Sequence, residues 1–201
     1  MNKSLLDKNM EQIVLNFAEG KRVQLQKELD MIDNPKTLGE LLDHLKQQLE
    51  NKSSLTTHYF RIIENLEEEE LFPHVLNTID RMDNDVYKEY AFRSLSAISK
   101  EVEQVDRYIP LILKTIETSK NYRVIYQGVA TLYKMVNTHP ELGKQLKEKR
   151  IRIDLSLIQD ILNMLKHVDK WEKDFHKNSD VRTPLGDPDE FLNFASGFIA
   201  F

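Results

Sequence analysis

The fold class that the sequence predicts is all-α: about four to five stacked helical hairpins, closed by a C-terminal capping helix. Three observations predict it. Apolar residues recur at helical spacing along almost the whole chain, and no alternating strand pattern persists. Leu71 to Asp80 is matched, 37 residues on, by Tyr108 to Glu117, and the register continues beyond both segments without a gap. Glycine and proline are scarce, six of each in 201 residues, as expected of helices joined by short turns.

Composition narrows the setting. The apolar share is 40% and the charged share 30%, a balance that suits a two-layer helical protein with much surface per residue. There is no cysteine, which excludes disulfides, thiolate metal sites and cysteine nucleophiles. The N-terminus lacks the continuous apolar core of a signal peptide. No run approaches the roughly 20 apolar residues that cross a bilayer. A cytoplasmic protein with no membrane association is the expectation.

The net charge of −5 is uneven: Met1 to Val105 carries 13 basic against 20 acidic residues (−7), and Asp106 to Phe201 carries 15 against 13 (+2). Nucleic-acid binders gain affinity by neutralising phosphates, so an acidic total disfavours that class of partner.

The elements follow in order. Leu5, Leu6, Met10, Ile13, Val14 and Phe17 mark a first helix that closes at Gly20, a C-terminal cap. Val23, Leu25, Leu29 and Ile32 mark a second, ended by Asn34-Pro35. Thr37-Leu38-Gly39-Glu40 reads as a capping box opening a helix with Leu38, Leu41, Leu42, Leu45 and Leu49 on one face. Asn51 to Ser54 is a polar turn, and Leu55 to Leu66 returns with Tyr59, Ile62, Ile63 and Leu66 inward.

The repeat then sets in, over 71–107 and 108–144. Pro73 matches Pro110, Asn84 matches Asn121, Ala91 matches Gly128, Leu95 matches Leu132 and Ile98 matches Met135. Helical periodicity alone would not place prolines, small residues and large apolar residues in one register. Each unit has a first helix with an early proline, a short polar turn, and a second helix with a small residue midway. Proline is tolerated in a first turn because its missing amide would have lacked a partner there. This layout resembles the HEAT-repeat consensus, well over Leu71 to Val136 and partially over Thr37 to Leu66, where Gly39 takes the proline position. The resemblance implies a right-handed α-solenoid whose second helices line a concave face. It implies a shape class, not an activity.

Beyond the repeats, Thr138-His139-Pro140-Glu141 reads as another capping box, opening a short helix that ends near Lys149. Asp154 caps a long helix with Leu157, Ile158, Ile161, Leu162, Met164, Leu165, Val168, Trp171 and Phe175, apolar over more than one face and expected to be sandwiched. The predicted organisation is a repeat domain over 1–176, a linker over 177–187 and an amphipathic helix over 188–201. Asp187-Pro188-Asp189-Glu190 is the start signal of that helix: a cap, a proline, then acids at the positive end of the dipole. Its Phe191, Leu192, Phe194, Phe198 and Ile199 are expected to fold back on the repeats, because solenoid ends need covering.

No catalytic, cofactor or metal site is expected. The six histidines never show the spacing that puts two imidazoles on one ion. No Gly-x-Ser-x-Gly elbow, phosphate loop or dinucleotide fingerprint occurs. The acidic run Glu67 to Glu70 and the basic cluster Lys144 to Arg152 are read first as charges that suit helix ends.

The candidate surface comes from the second helices. With Ala91, Leu95, Ile98 and Val102 as the core stripe, Glu89, Arg93, Ser96 and Lys100 fall on the opposite face. One repeat later the corresponding positions include Tyr126, Tyr133 and Asn137, the tyrosines either completing a recognition patch or covering the neighbouring hairpin's flank. The expected function is a non-catalytic interaction module that binds a protein partner on its concave face, as an adaptor, an inhibitor or an immunity-type protein. The alternative is a nucleic-acid binder, because one group of DNA glycosylases resembles HEAT solenoids. Arg93, Lys100, Arg123, Tyr126 and Tyr133 would supply part of such a face, while Glu89 and the acidic first half oppose it.

Overall fold

The computed structural model describes residues 35–66, 71–98, 105–175 and 185–200. These residues are mostly helical, with two strands of two residues each. The helices expected over Leu5 to Ile32, the acidic run Glu67 to Glu70, Lys100, Val102 and most of the expected linker lie outside the described residues. Among the described residues no helix is long and apolar enough to cross a membrane. The chain divides into two compact units, Met1–Ile98 and Ser99–Phe201.

The first unit contains α1 (Pro35–Glu50), α2 (Thr56–Leu66), α3 (Phe72–Ile79) and α4 (Asp85–Ala97). The first helix starts two residues before the expected capping box, so Thr37 lies inside it. The reason is Pro35, whose fixed φ and missing amide suit the first helical position. Leu38, Leu41 and Leu45 are buried, and the His44 ring stacks on that of Tyr59 in α2 at 6.4 Å.

The turn after α1 is a Schellman motif. Ser53 N donates to Gln48 O at 2.9 Å and Lys52 N to Leu49 O at 3.1 Å. Lys52 holds the left-handed position, with φ 50°. The next helix buries Tyr59, Phe60, Ile62 and Ile63, on more than one face, because it packs against both α1 and α4. Hairpin α3–α4 buries Phe72, Val75, Leu76 and Ile79 against Ala91, Phe92 and Leu95.

The second unit contains a 3-10 turn (Val105–Tyr108), α5 (Ile109–Thr118), α6 (Tyr122–Thr138), α7 (Leu142–Glu148), β1 (Ile151–Arg152), α8 (Leu155–Phe175), α9 (Pro188–Ala195) and β2 (Ile199–Ala200). Hairpin α5–α6 shares several features with α3–α4. Pro73 and Pro110 both sit in the first turn of their helices. Asn84 and Asn121 both cap the second helix, in extended backbone. Ala91 and Gly128 are both buried, as are Leu95 and Leu132, and Ile98 and Met135. Other paired positions differ: Arg93 is exposed and Ala130 buried, Glu89 is half-buried and Tyr126 buried.

Two expectations are corrected in this unit. Thr138 is not a cap: α6 runs through it, its hydroxyl donates back to Met135 O at 3.1 Å, and α7 begins only at Leu142. The last helix stops at Ala195 rather than running to 201. Ile199–Ala200 instead pairs in parallel with Ile151–Arg152, a strand pair the helical periodicity gave no sign of. Ile151 N donates to Phe198 O at 3.0 Å, and both isoleucines are buried. Among its described side chains, α8 buries Ile158, Ile161 and Leu165, with Leu157, Leu162 and Met164 half-buried. It packs against α6 and α9, and the side chains of Val168, Trp171 and Phe175 lie outside the described residues. Its cap is as expected: Asp154 accepts from the Ser156 amide and hydroxyl, which hold its carboxyl below the usual range.

Candidate functional site

The residues of the candidate surface fall on α4 in the first unit and on α6 in the second. On α4, Arg93 Nε donates to Glu64 Oε1 of α2 at 3.0 Å, so the guanidinium spans two neighbouring helices. Glu89 is half-buried and Ser96 is buried. A helical wheel leaves this side of α4 outward, but α4 packs on α2 as well as on α3. Lys100 lies outside the described residues.

On α6 the tyrosines meet the C-terminal segment. Tyr126 is buried, and its ring centroid lies 6.1 Å from that of Phe191. Tyr133 is half-buried and sits edge-on to Phe194 at 5.2 Å, and its hydroxyl donates to Glu190 Oε1. That hydrogen bond to Glu190 pushes the phenol above its ordinary pKa, against a smaller opposing effect of Asn137. Asn137 is exposed. Both tyrosines thus meet side chains of α9, which is neither an open patch nor the flank of a neighbouring hairpin. Asp187 starts α9 as expected, its carboxylate accepting from the amides of Asp189 and Glu190 at 2.8 and 3.0 Å.

A concave feature that the sequence did not disclose lies in the first unit. Lys46, Leu49 and Glu50 of α1, Lys52 of the following turn, Thr78 of α3, Arg81 to Asn84 of the α3–α4 turn, and Tyr87 of α4 border a cavity of about 480 Å³. Tyr87 forms a fixed wall, because its hydroxyl donates to Ser53 O at 2.7 Å. A smaller lobe of about 240 Å³ shares Lys46, Thr78 and Arg81 and adds Leu42, Leu45, His74 and Asn77. The lining comes from three helices and two turns, so no local motif could have announced it.

No group of three or more His, Asp or Glu able to hold a metal occurs among the described residues. Compared with protein-family models, curated proteins and solved structures, the chain matches none.

Proposed function

We propose that the chain is a non-catalytic interaction module of the HEAT type, a right-handed solenoid that holds a protein partner in the cytoplasm. The observation that carries this reading is the equivalence of α3–α4 and α5–α6. Two hairpins 37 residues apart share their proline turn, their asparagine cap and several of their buried positions. Repeats of this kind cannot bury their apolar faces alone, and stacking them creates an extended surface for a partner. The packing of α2 beside α4 in the first unit supports such stacking, since second helices are neighbours in a solenoid.

On this reading the partner contacts centre on α4, where Arg93 is exposed with half-buried Glu89 beside it. Tyr126 and Tyr133 act by seating the C-terminal segment rather than by touching the partner. The test is capture from native cells with the full chain and with Arg93→Glu, followed by cross-link mapping. A stoichiometric partner that cross-links to α4 and is lost in the variant is the expected result. A partner that cross-links elsewhere and ignores Arg93 would sink the reading. Tight binding of duplex DNA in an anisotropy titration would replace it with the nucleic-acid alternative.

A further inference from the structure

We propose that the α1–α3 cleft of the first unit is a binding site for a small organic anion that carries an apolar ring, such as an aromatic carboxylate. Its volume of about 480 Å³ lies within the range of small-molecule sites, roughly 300–1,000 Å³. The lining combines an apolar bed with a few convergent polar groups, which is how such sites fix a ligand's orientation. Leu49, Met82 and Tyr87 supply the bed.

The charges are arranged by lobe. Lys46 and Arg81 border both lobes, whereas the carboxylates Glu50 and Asp83 line only the larger one. The smaller lobe contains no carboxylate, and His74 and Asn77 lie on its wall. An anion is therefore favoured where the two lobes meet, between Lys46 and Arg81, with its ring directed toward Tyr87. Arg81 has the planar fork that meets a carboxylate through two parallel hydrogen bonds. Lys46 lies 3.6 Å from Asp43, but both side chains are largely exposed, at 60% and 80%, and such pairs are weak enough to exchange.

The Lys52 side chain also lines the cleft, presented by the Schellman turn that ends α1. The Tyr87–Ser53 hydrogen bond ties one wall to that turn before any ligand arrives, which lowers the cost of ordering on binding.

The site is distinct from the partner surface on α4 and does not depend on it. It is tested on the full chain with two probes of one ring system: anilinonaphthalene sulfonate and the uncharged phenylnaphthylamine. The sulfonate is expected to bind more tightly. Lys46→Ala with Arg81→Ala should weaken it by about ten- to a hundredfold, the loss of charge-assisted hydrogen bonds, and leave the neutral probe nearly unchanged. Phenylacetate should displace the sulfonate and its uncharged amide should not.

The control is the groove lined by Lys144, Lys147, Phe194 and Phe198, whose Lys144→Ala/Lys147→Ala variant should bind as the original chain does. Circular dichroism of each variant separates lost binding from lost folding, and Arg81→Lys keeps the charge if Arg81→Ala does not fold. Equal affinity for the two probes overturns the proposal. So does a loss that follows Lys144 and Lys147, or displacement by acidic peptides alone.

Discussion

Asn84 and Asn121, 37 residues apart, close the same hydrogen bond: each side-chain oxygen accepts from the amide two residues ahead at 2.9 Å. Each satisfies a donor that the first turn of its helix leaves unpaired. Replacing either by alanine should cost about 1 kcal/mol, the usual worth of such a cap. Urea denaturation of Asn84→Ala and Asn121→Ala should therefore show similar shifts of midpoint. A shift in one and none in the other would break the equivalence of the two hairpins.

Lys52 leads to a prediction of opposite sign for two substitutions at one position. Its φ of 50° places a side chain where only glycine is comfortable, at a cost of about 1–2 kcal/mol for an L-residue. Lys52→Gly relieves that strain but gives the unfolded chain more freedom, so the net gain should be below about 1 kcal/mol. Lys52→Val should destabilise, because a β-branched residue is the worst fit to this backbone. Thermal melts that rank valine level with glycine would show that the turn does not keep this geometry in solution.

The sequence disclosed the architecture where one residue type had one structural use. Pro73, Pro110, Asn84, Asn121, Asp154 and Asp187 all stand at helix starts, because a missing amide or a short side-chain acceptor suits few other places. It misled where a helix has two neighbours. Phe60 lies off the face that periodicity assigned to the core, yet it is fully buried. Thr138 failed as a cap because a capping box is also what a threonine at the end of a helix looks like when a glutamate follows. The candidate site was least legible of all. Tyr126 and Tyr133 were visible as a pair, but that Phe191 and Phe194 would cover them depends on a chain reversal that no local spacing encodes. The cleft joins Lys46 to Arg81 across 35 residues, and nothing near either one foretells the other.

His58 makes the stability of the first unit sensitive to acid. Burial lowers its pKa below the ordinary 6.5, and the nearby Arg61 adds to the effect. Its Nδ1 is enclosed and finds no hydrogen-bond partner among the described residues. The folded chain therefore holds fewer protons at this site than the unfolded chain does. The stability contributed is whole above pH 6.5 and is lost as the pH falls from there toward the lowered folded value. Denaturation midpoints should fall over that window, and His58→Gln should flatten the fall. An unchanged profile in the variant would assign the acid sensitivity to other groups.

Aromatic packing, more than hydrogen bonding, should hold the C-terminal segment in place. Phe191 is fully buried against Tyr126, so Phe191→Ala leaves a cavity and should cost about 3–5 kcal/mol. That is a large part of the roughly 5–15 kcal/mol that stabilises an ordinary domain. Tyr133→Phe removes only the hydrogen bond to Glu190 and keeps the edge-on contact with Phe194. Because Tyr133 is half-buried, water replaces most of what is lost, and the cost should stay below about 1 kcal/mol. Calorimetry of the two variants should show a much lower melting temperature for Phe191→Ala and a small change for Tyr133→Phe. Hydrophobic dye binding should rise only in Phe191→Ala, as the face of α6 under α9 is uncovered. Equal melting of Phe191→Ala and the original chain would mean that α9 does not pack on α6 in solution, and a large loss in Tyr133→Phe would mean that the Glu190 contact carries the attachment.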